Sequence, residues 1–159
     1  MVAPTLPAVA GVLVSAPEGT TAAGYSGTPL PKKLGIQPGM SIALLGAPDG
    51  FADTLGPLPD GVSSRTSLRA GQQVQLIVAF IGRRRDLETG LERFVGALPP
   101  DGVLWVAWPK KSSKVPTDMT EDVVRDVVLP TGWVDTKVCA IDSTWSGLKL
   151  VLRRALRPK

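Results

Sequence analysis

The feature that most constrains the fold is a near-continuous apolar run in the middle of the chain, QVQLIVAFI at residues 73–81. A run rich in branched residues is typical of a strand buried on both faces, at the centre of a parallel sheet. VLWVAW at residues 103–108 is a second such run. Between the two, Asp86 is predicted to cap a helix. One face of that helix is apolar, formed by Leu87, Leu91, Phe94, Val95 and Leu98.

Upstream of this strand-helix-strand unit, the pattern predicts further elements of the same kind. A lead-in loop at residues 24–39 contains one or two helical turns, and a first strand runs over residues 41–45. A short helix over residues 51–55 follows. A weak strand at residues 62–68 lacks large apolar side chains, so we expect it near an edge of the sheet.

Downstream, Asp118 with Glu121 three residues later predicts the start of another helix. Two strands follow, at residues 137–141 and 148–152, and the loop between them is short enough for an antiparallel pair. The order of these strands and helices therefore predicts an α/β fold. We expect a three-layer, Rossmann-like, mostly parallel sheet that ends in an antiparallel hairpin, with a reversed strand at one end.

This outline resembles a shortened S-adenosylmethionine-dependent methyltransferase fold, over roughly residues 30–154. Particular stretches also resemble an uncharacterised bacterial family known only as a domain of unknown function. The resemblance supplies no activity, cofactor or catalytic residue. The stretches are GYSGTPLPKKLGI (24–36), LWVAWPKK (104–111), VPTDMTEDVVRD (115–126) and DSTWSGLKLV (142–151).

The domain is expected to span residues 25–154, between a flexible N-terminal tail (1–24) and a basic C-terminal tail (155–159). The chain has no histidine and one cysteine, Cys139. This composition removes the commonest general base and the usual transition-metal ligands, so no metal is expected. A lone cysteine suits a reducing compartment, and no apolar run approaches the ~20 residues of a membrane-spanning helix. We therefore expect a cytoplasmic protein that does not bind membranes.

The net charge of +4 comes from the C-terminal stretch RRALRPK, which has four basic residues and no acid. The other 152 residues balance, with 14 basic against 14 acidic side chains. Nucleic-acid binding is therefore the least favoured function, because the excess charge indicates a tail and not a basic face. The oligomeric state is left open.

The turn GAPDG at residues 46–50 follows the first strand, where doubly wound sheets bind nucleotide cofactors. Pro48 replaces the second glycine of the dinucleotide fingerprint, and proline has no N–H to donate to a phosphate. About 20 residues on, where an acid binds ribose, the chain has Arg65, which could instead face a 2′-phosphate. We interpret the stretch as a tight turn in which Asp49 caps the next helix, with a working cofactor loop as the alternative.

Basic residues follow the ends of several predicted strands: Arg65, Arg69, Arg83, Arg84, Arg85, Lys110, Lys111 and Lys114, with Lys32 and Lys33 in the lead-in loop. The arginine triplet stands at a helix amino end, where an anion would also be favoured by the helix dipole. Solvated loop charges are the alternative. Trp145 could stack on a ligand ring or cover the end of the sheet, whereas Trp105 and Trp108 are expected in the core.

The predicted ligand site combines residues from these loops: Gly46, Asp49, Arg65, Arg83, Arg84, Arg85, Lys110, Lys111 and Trp145. Asp49, Asp142 and Tyr25 are the candidates for acid–base chemistry, and none has a compelling spacing. The sequence therefore favours a non-catalytic or relict methyltransferase-like domain that binds an anionic small molecule or a protein partner. The alternative is a methyltransferase-like group-transfer enzyme with an atypical cofactor site.

Overall fold

The two apolar runs form neighbouring parallel strands at the centre of a six-stranded sheet. The computed structural model describes residues 29–69 and 71–156, so the predicted N-terminal tail lies outside the described residues. The strands are β1 (Ser41–Leu45), β2 (Ser63–Arg65), β3 (Leu76–Phe80), β4 (Val103–Pro109), β5 (Trp133–Ala140) and β6 (Trp145–Leu152).

Helices cover both faces of the sheet, which confirms the three-layer prediction. On one face lie α1 (Leu30–Leu34) and α2 (Phe51–Leu55), and on the other lie α3 (Arg84–Gly96) and α4 (Glu121–Val128). Short 3₁₀ turns occupy Lys111–Ser113, Leu129–Thr131 and Arg154–Leu156.

The strand order is β2-β1-β3-β4-β6-β5. Strands β1 to β4 are mutually parallel, and β6 is antiparallel to both β4 and β5. The reversed strand therefore lies second from the end of the sheet, and not at the end as predicted, because β6 returns between β4 and β5. The strand order reverses between β1 and β3, which is where α/β sheets of this kind bind ligands.

The hairpin strands are longer than predicted and the second strand is shorter. β5 begins at Trp133, which pairs with Leu152, so the strand starts directly after the turn that ends with Gly132. β2 has three residues and exposed serines, and it lies at the sheet edge as predicted.

The predicted helix caps at Asp86 and Asp118 are wrong. α3 begins two residues before Asp86, and the Asp118 carboxylate accepts a hydrogen bond from the backbone N–H of Arg84 at 2.8 Å. Asp118 thus caps α3 from a loop 34 residues away. α4 is capped by Thr120, whose hydroxyl accepts from the N–H of Val123 at 3.1 Å.

The two tryptophans of β4 lie in the core on opposite faces, as predicted. Trp108 packs with α3 and α4, whereas Trp105 is fully buried on the face of α1 and α2. The Trp105 indole N–H donates to the carbonyl of Leu34 at 2.9 Å. This bond satisfies a buried donor and fixes the end of α1 against the middle of the sheet.

Candidate functional site

The predicted site residues all lie at what we call the carboxyl end of the sheet. This end is where β1, β2, β3 and β4 finish and where β6 begins. The structure does not bring these residues into a single cavity. They divide among separate clefts on the two faces of the sheet, and some line none of the three clefts described below.

The turn after β1 is shaped by two glycines with positive φ, Gly46 (+71°) and Gly50 (+82°). A Cβ at Gly46 would lie 3.0 Å from the carbonyl oxygen of Phe80, so glycine is needed here for the close approach of β1 to β3. Gly50, and not the predicted Asp49, is the N-cap of α2. The N–H of Phe51 donates to the Pro48 carbonyl at 3.1 Å, which closes the turn locally.

This turn borders a first cleft, of about 380 Å³, which we call the first-turn cleft. Pro48 and Asp49 contribute from the turn, and Ser64 and Thr66 from β2 and the residue after it. Side chains alternate along a strand, so Arg65 points to the other face and does not line the cleft. The structure therefore does not place an arginine where a 2′-phosphate would lie in this cleft.

The arginine triplet borders a second cleft of about 390 Å³, the arginine cleft, lined by Gly82, Arg83, Arg85, Pro116, Thr117 and Asp118. The Thr117 hydroxyl donates to the Gly82 carbonyl at 2.6 Å, and Asp118 caps α3. These two bonds join the loop after β4 to the turn after β3. Arg84 points elsewhere and pairs with Glu88 at 3.2 Å.

The sequence predicted an anion site at the amino end of α3, and the structure shows that a side chain of the protein already occupies part of this site. The carboxylate of Asp118 already occupies the position next to the Arg84 N–H. Arg83 and Arg85 remain exposed at the cleft, and neither forms an ion pair with any residue that the structure describes. A bound anion would contact their guanidinium groups and would lie close to the Asp118 carboxylate.

The remaining predicted site residues have local structural roles. Lys110 donates its backbone N–H to the carbonyl of Thr144 at 2.8 Å, and Lys111 is exposed at the start of a 3₁₀ turn. The Trp145 ring packs edge to face on Phe80, with ring centres 5.1 Å apart, and Phe80 packs in the same way on Phe51 at 4.8 Å. This favours the second of the two predicted roles of Trp145, which is to cover the end of the sheet.

The acid–base candidates do not assemble into a catalytic group. Asp142 accepts hydrogen bonds from the N–H groups of Thr144 and Trp145, both at 2.8 Å, and so forms a turn. Asp49 is exposed at the rim of the first-turn cleft. Tyr25 lies outside the described residues.

Near the end of β5, Cys139 is half-buried beside the core of the α1–α2 face. Burial raises the pKa of its thiol, whereas the charges of Lys33 and Lys137 act in the opposite direction. Lys33 donates to the carbonyl of Ala140 at 3.3 Å.

No group of three or more potential ligand side chains in the described part of the chain could hold a metal ion. None of its helices is long and apolar enough to cross a bilayer.

Sequence reasoning missed a third cleft, of about 370 Å³, which we call the switch-point cleft. It opens beside α3 between the ends of β1 and β3, and Gly46 alone among the predicted site residues lines it. The signal that could have revealed it is Gly90. A glycine is an unfavourable residue for a helix interior and indicates a packing or functional reason.

Solved structures with the same fold include several methyltransferases. An S-adenosylmethionine-dependent methyltransferase from Aquifex aeolicus matches with a TM-score of 0.57 and 15% identity, over 75% of this chain and 85% of the other. The fibrillarin pre-rRNA processing protein of Methanococcus jannaschii matches with a TM-score of 0.54 and 11% identity, over 74% and 68%. The DhpI–SAH complex gives 0.53 and 12%, over 79% and 83%.

These similarities show a methyltransferase-like fold, and at such identities they show the fold alone. No family model matches the chain, and no curated protein matches it in sequence. The fold prediction is confirmed. Membership of an uncharacterised bacterial family stays a prediction.

Proposed function

We propose that this chain is a binding domain on a methyltransferase-like fold that takes an anionic small molecule at the carboxyl end of its sheet and does not transfer a group. The observation that carries the proposal is that Arg83 and Arg85 line the arginine cleft and form no ion pair within the described part of the chain. Arg83 and Arg85 are exposed there, and the loop that forms the opposite wall of the cleft continues from Lys110 and Lys111. Two arginines at one wall of a cleft concentrate anions there, although the Asp118 carboxylate on the opposite wall reduces this effect.

The non-catalytic part of the proposal is supported by what lies in the first-turn cleft. Pro48 stands where a cofactor turn offers backbone N–H groups, and Ser64 and Thr66 stand where an acid would bind ribose. Asp142 is held by two backbone amides, so its carboxylate is already used in a turn. These features favour binding over group transfer.

The test uses the full chain, with inorganic pyrophosphate and ATP as probes. We expect both probes to raise the melting temperature and to bind in calorimetry, with affinity falling steeply as salt increases. In the double variant Arg83→Gln/Arg85→Gln, the affinity should fall at least tenfold.

Arg153→Gln/Arg154→Gln is the matched control, because it removes the same charge from the other end of the sheet. These arginines follow β6, which is antiparallel to β4, so they stand away from the arginine cleft. Binding by the control variant should equal that of the wild type. No binding of either probe, or equal loss in both variants, would contradict the proposal.

A group-transfer enzyme with an atypical cofactor site is the second candidate, and the first-turn cleft favours it. At about 380 Å³ the cleft falls within the usual size range of small-molecule sites, and Ser64 and Thr66 offer hydroxyl groups. One fold neighbour was solved with SAH. Calorimetric binding of S-adenosylmethionine at micromolar strength would promote this candidate.

The location of that binding is tested by filling the cleft. Ala52 lines the first-turn cleft on the exposed side of α2, whereas its neighbour Asp53 does not line it. Ala52→Trp should abolish S-adenosylmethionine binding and Asp53→Trp should preserve it. Binding that survives Ala52→Trp would place the cofactor elsewhere and remove the argument for this candidate.

A further inference from the structure

The switch-point cleft lies apart from both clefts discussed above and shares no lining residue with them. It opens on the α3 face of the sheet, between Gly46 at the end of β1 and Ile81 after β3. This is the position at which the strand order reverses. Its remaining lining residues are Leu45, Phe80, Asp86, Thr89, Gly90, Arg93 and Phe94.

The cleft exists because the connection from β2 to β3 is short. Parallel strands are usually joined by a helix that covers one face of the sheet. Here the described parts of the connection, residues 66–69 and 71–75, contain no helix, and Leu68 packs on the core of the α3 face. Space beside α3, above the end of β1, is therefore left unfilled.

The floor of the cleft depends on Gly90 in the interior of α3. A Cβ at this position would lie 2.7 Å from the Cζ atom of Phe94, one turn later on the helix. The missing side chain lets the Phe94 ring lie back against α3, where it is buried and still lines the cleft. The position thus combines an unfavourable helix residue with an aromatic floor.

Two opposite charges border this floor. Asp86 and Arg93 are seven residues apart, which places them on the same side of α3 and about 10 Å apart along its axis. Neither forms an ion pair with a residue that the structure describes. The Arg93 guanidinium lies 5.6 Å from the centre of the Phe94 ring, so the positive end of the cleft adjoins its aromatic floor.

We propose that the switch-point cleft binds a short peptide-like zwitterion in an extended conformation. Its ammonium group pairs with Asp86, its carboxylate pairs with Arg93, and its middle lies on Phe94. An extended chain spans at most about 3.5 Å per residue, so three residues match the rise of about 10 Å between Asp86 and Arg93 along the helix axis. A molecule with a single charge would use one end only and leave the other unpaired.

The probes are trialanine and its two singly capped forms, N-acetyl-trialanine and trialanine amide, with binding to the full chain measured by calorimetry or NMR titration. We expect trialanine to bind and either cap to weaken binding at least tenfold. Asp86→Asn should remove the difference between trialanine and the acetylated form. Arg93→Gln should remove the difference between trialanine and the amide.

Gly90→Ala tests the floor by a separate route. Alanine favours the helix, so the variant should fold, while its Cβ displaces the Phe94 ring into the cleft and weakens trialanine binding at least tenfold. Glu92→Gln is the control, because Glu92 is exposed on α3 and does not line the cleft. The proposal is overturned if trialanine does not bind at millimolar concentration, if the caps have no effect, or if Glu92→Gln weakens binding as much as the cleft variants.

Discussion

Two turns at the carboxyl end of the sheet lead from a strand into a helix, and they are held by opposite means. The turn at residues 46–50 is closed by its own backbone, with Gly46 and Gly50 at positive φ. The turn from β3 into α3 is held from outside, by Thr117 and Asp118 of the loop after β4. One turn is therefore fixed by its local conformation. The other is fixed by two hydrogen bonds whose partners are separated by 34 and 35 positions in the sequence.

The two turns also border the two clefts proposed as binding sites, and they favour ligands of different charge. The locally fixed turn borders a cleft with hydroxyl groups and one exposed carboxylate, Asp49, which suits a neutral or cationic ligand better than an anion. The externally held turn presents Arg83 and Arg85 together with the carboxylate of Asp118. An anion that binds there must overcome repulsion from Asp118, so the contact that holds the turn also opposes its ligand.

The largest effect is expected at the locally fixed turn. Gly46→Ala should lower the free energy of unfolding by about 2 kcal/mol or more, because a positive φ is costly for alanine and the new Cβ meets the Phe80 carbonyl. Gly50→Ala is the matched control with a similar φ and open space around the Cβ, and should cost about 1 kcal/mol. Urea unfolding of both variants measures the difference, and equal costs would show that the contact with β3 contributes nothing.

A smaller loss is expected at the externally held turn. Asp118→Ala should lower the free energy of unfolding by about 1 kcal/mol, because it removes a helix cap. Hydrogen exchange should show weaker protection at the Arg84 amide, while the Val123 amide of α4 keeps its protection. Thr120→Ala should give the reverse pattern. Asp49→Ala is the control, and a cost as large as that of Asp118→Ala would contradict the assignment of the α2 cap to Gly50.

Asp118→Ala should also strengthen anion binding, although it lowers the free energy of unfolding. Removal of the Asp118 carboxylate leaves the amino end of α3 open and removes a like charge from the arginine cleft. We expect the affinity for pyrophosphate to rise about two- to fivefold, which corresponds to the usual strength of a charge at a helix end. An unchanged or lower affinity in calorimetry would show that Asp118 does not oppose the ligand.

The contrast between the turns also explains what the sequence could reveal. Gly46 and the apolar runs act through their own backbone or their own strand, so the first strand and the short helix after it were predictable. The caps were not, because the sequence offers several carboxylates and hydroxyls near each helix start. Asp118 fits the pattern of a local cap, yet the fold places it beside Arg84.

The site was less predictable than the fold for the same reason. Strand order determines which loops are neighbours, and strand alternation determines which side chains share a cleft. Arg65 was predicted to follow the second strand, but it is the last residue of β2, and the direction of its side chain depends on a register that the weak strand does not reveal. The switch-point cleft arises from the connection between β2 and β3, whose described residues contain no helix, and from Gly90, and these two features acquire meaning together only in the folded chain.

The smallest effect is expected at Cys139, which packs against the same apolar cluster as Phe51 and Phe80. Burial raises the pKa of this thiol, so the folded chain should react with iodoacetamide more slowly than the unfolded chain at the same pH. Between the pKa of the unfolded chain and the higher pKa of the folded chain, the folded thiol keeps a proton that the unfolded thiol loses. The stability this provides is complete below the ordinary cysteine pKa, about 8.5, and is lost as the pH rises through the folded-state value.

Cys139 can therefore report which face of the sheet each turn supports. Gly46→Ala disturbs the turn that positions Phe51, so it should increase the alkylation rate of Cys139. Asp118→Ala acts on the α3 face and should leave the rate unchanged. If Asp118→Ala increases the rate as much as Gly46→Ala does, the two faces open together, and the distinction between a locally fixed and an externally held turn does not extend to the cores beneath them.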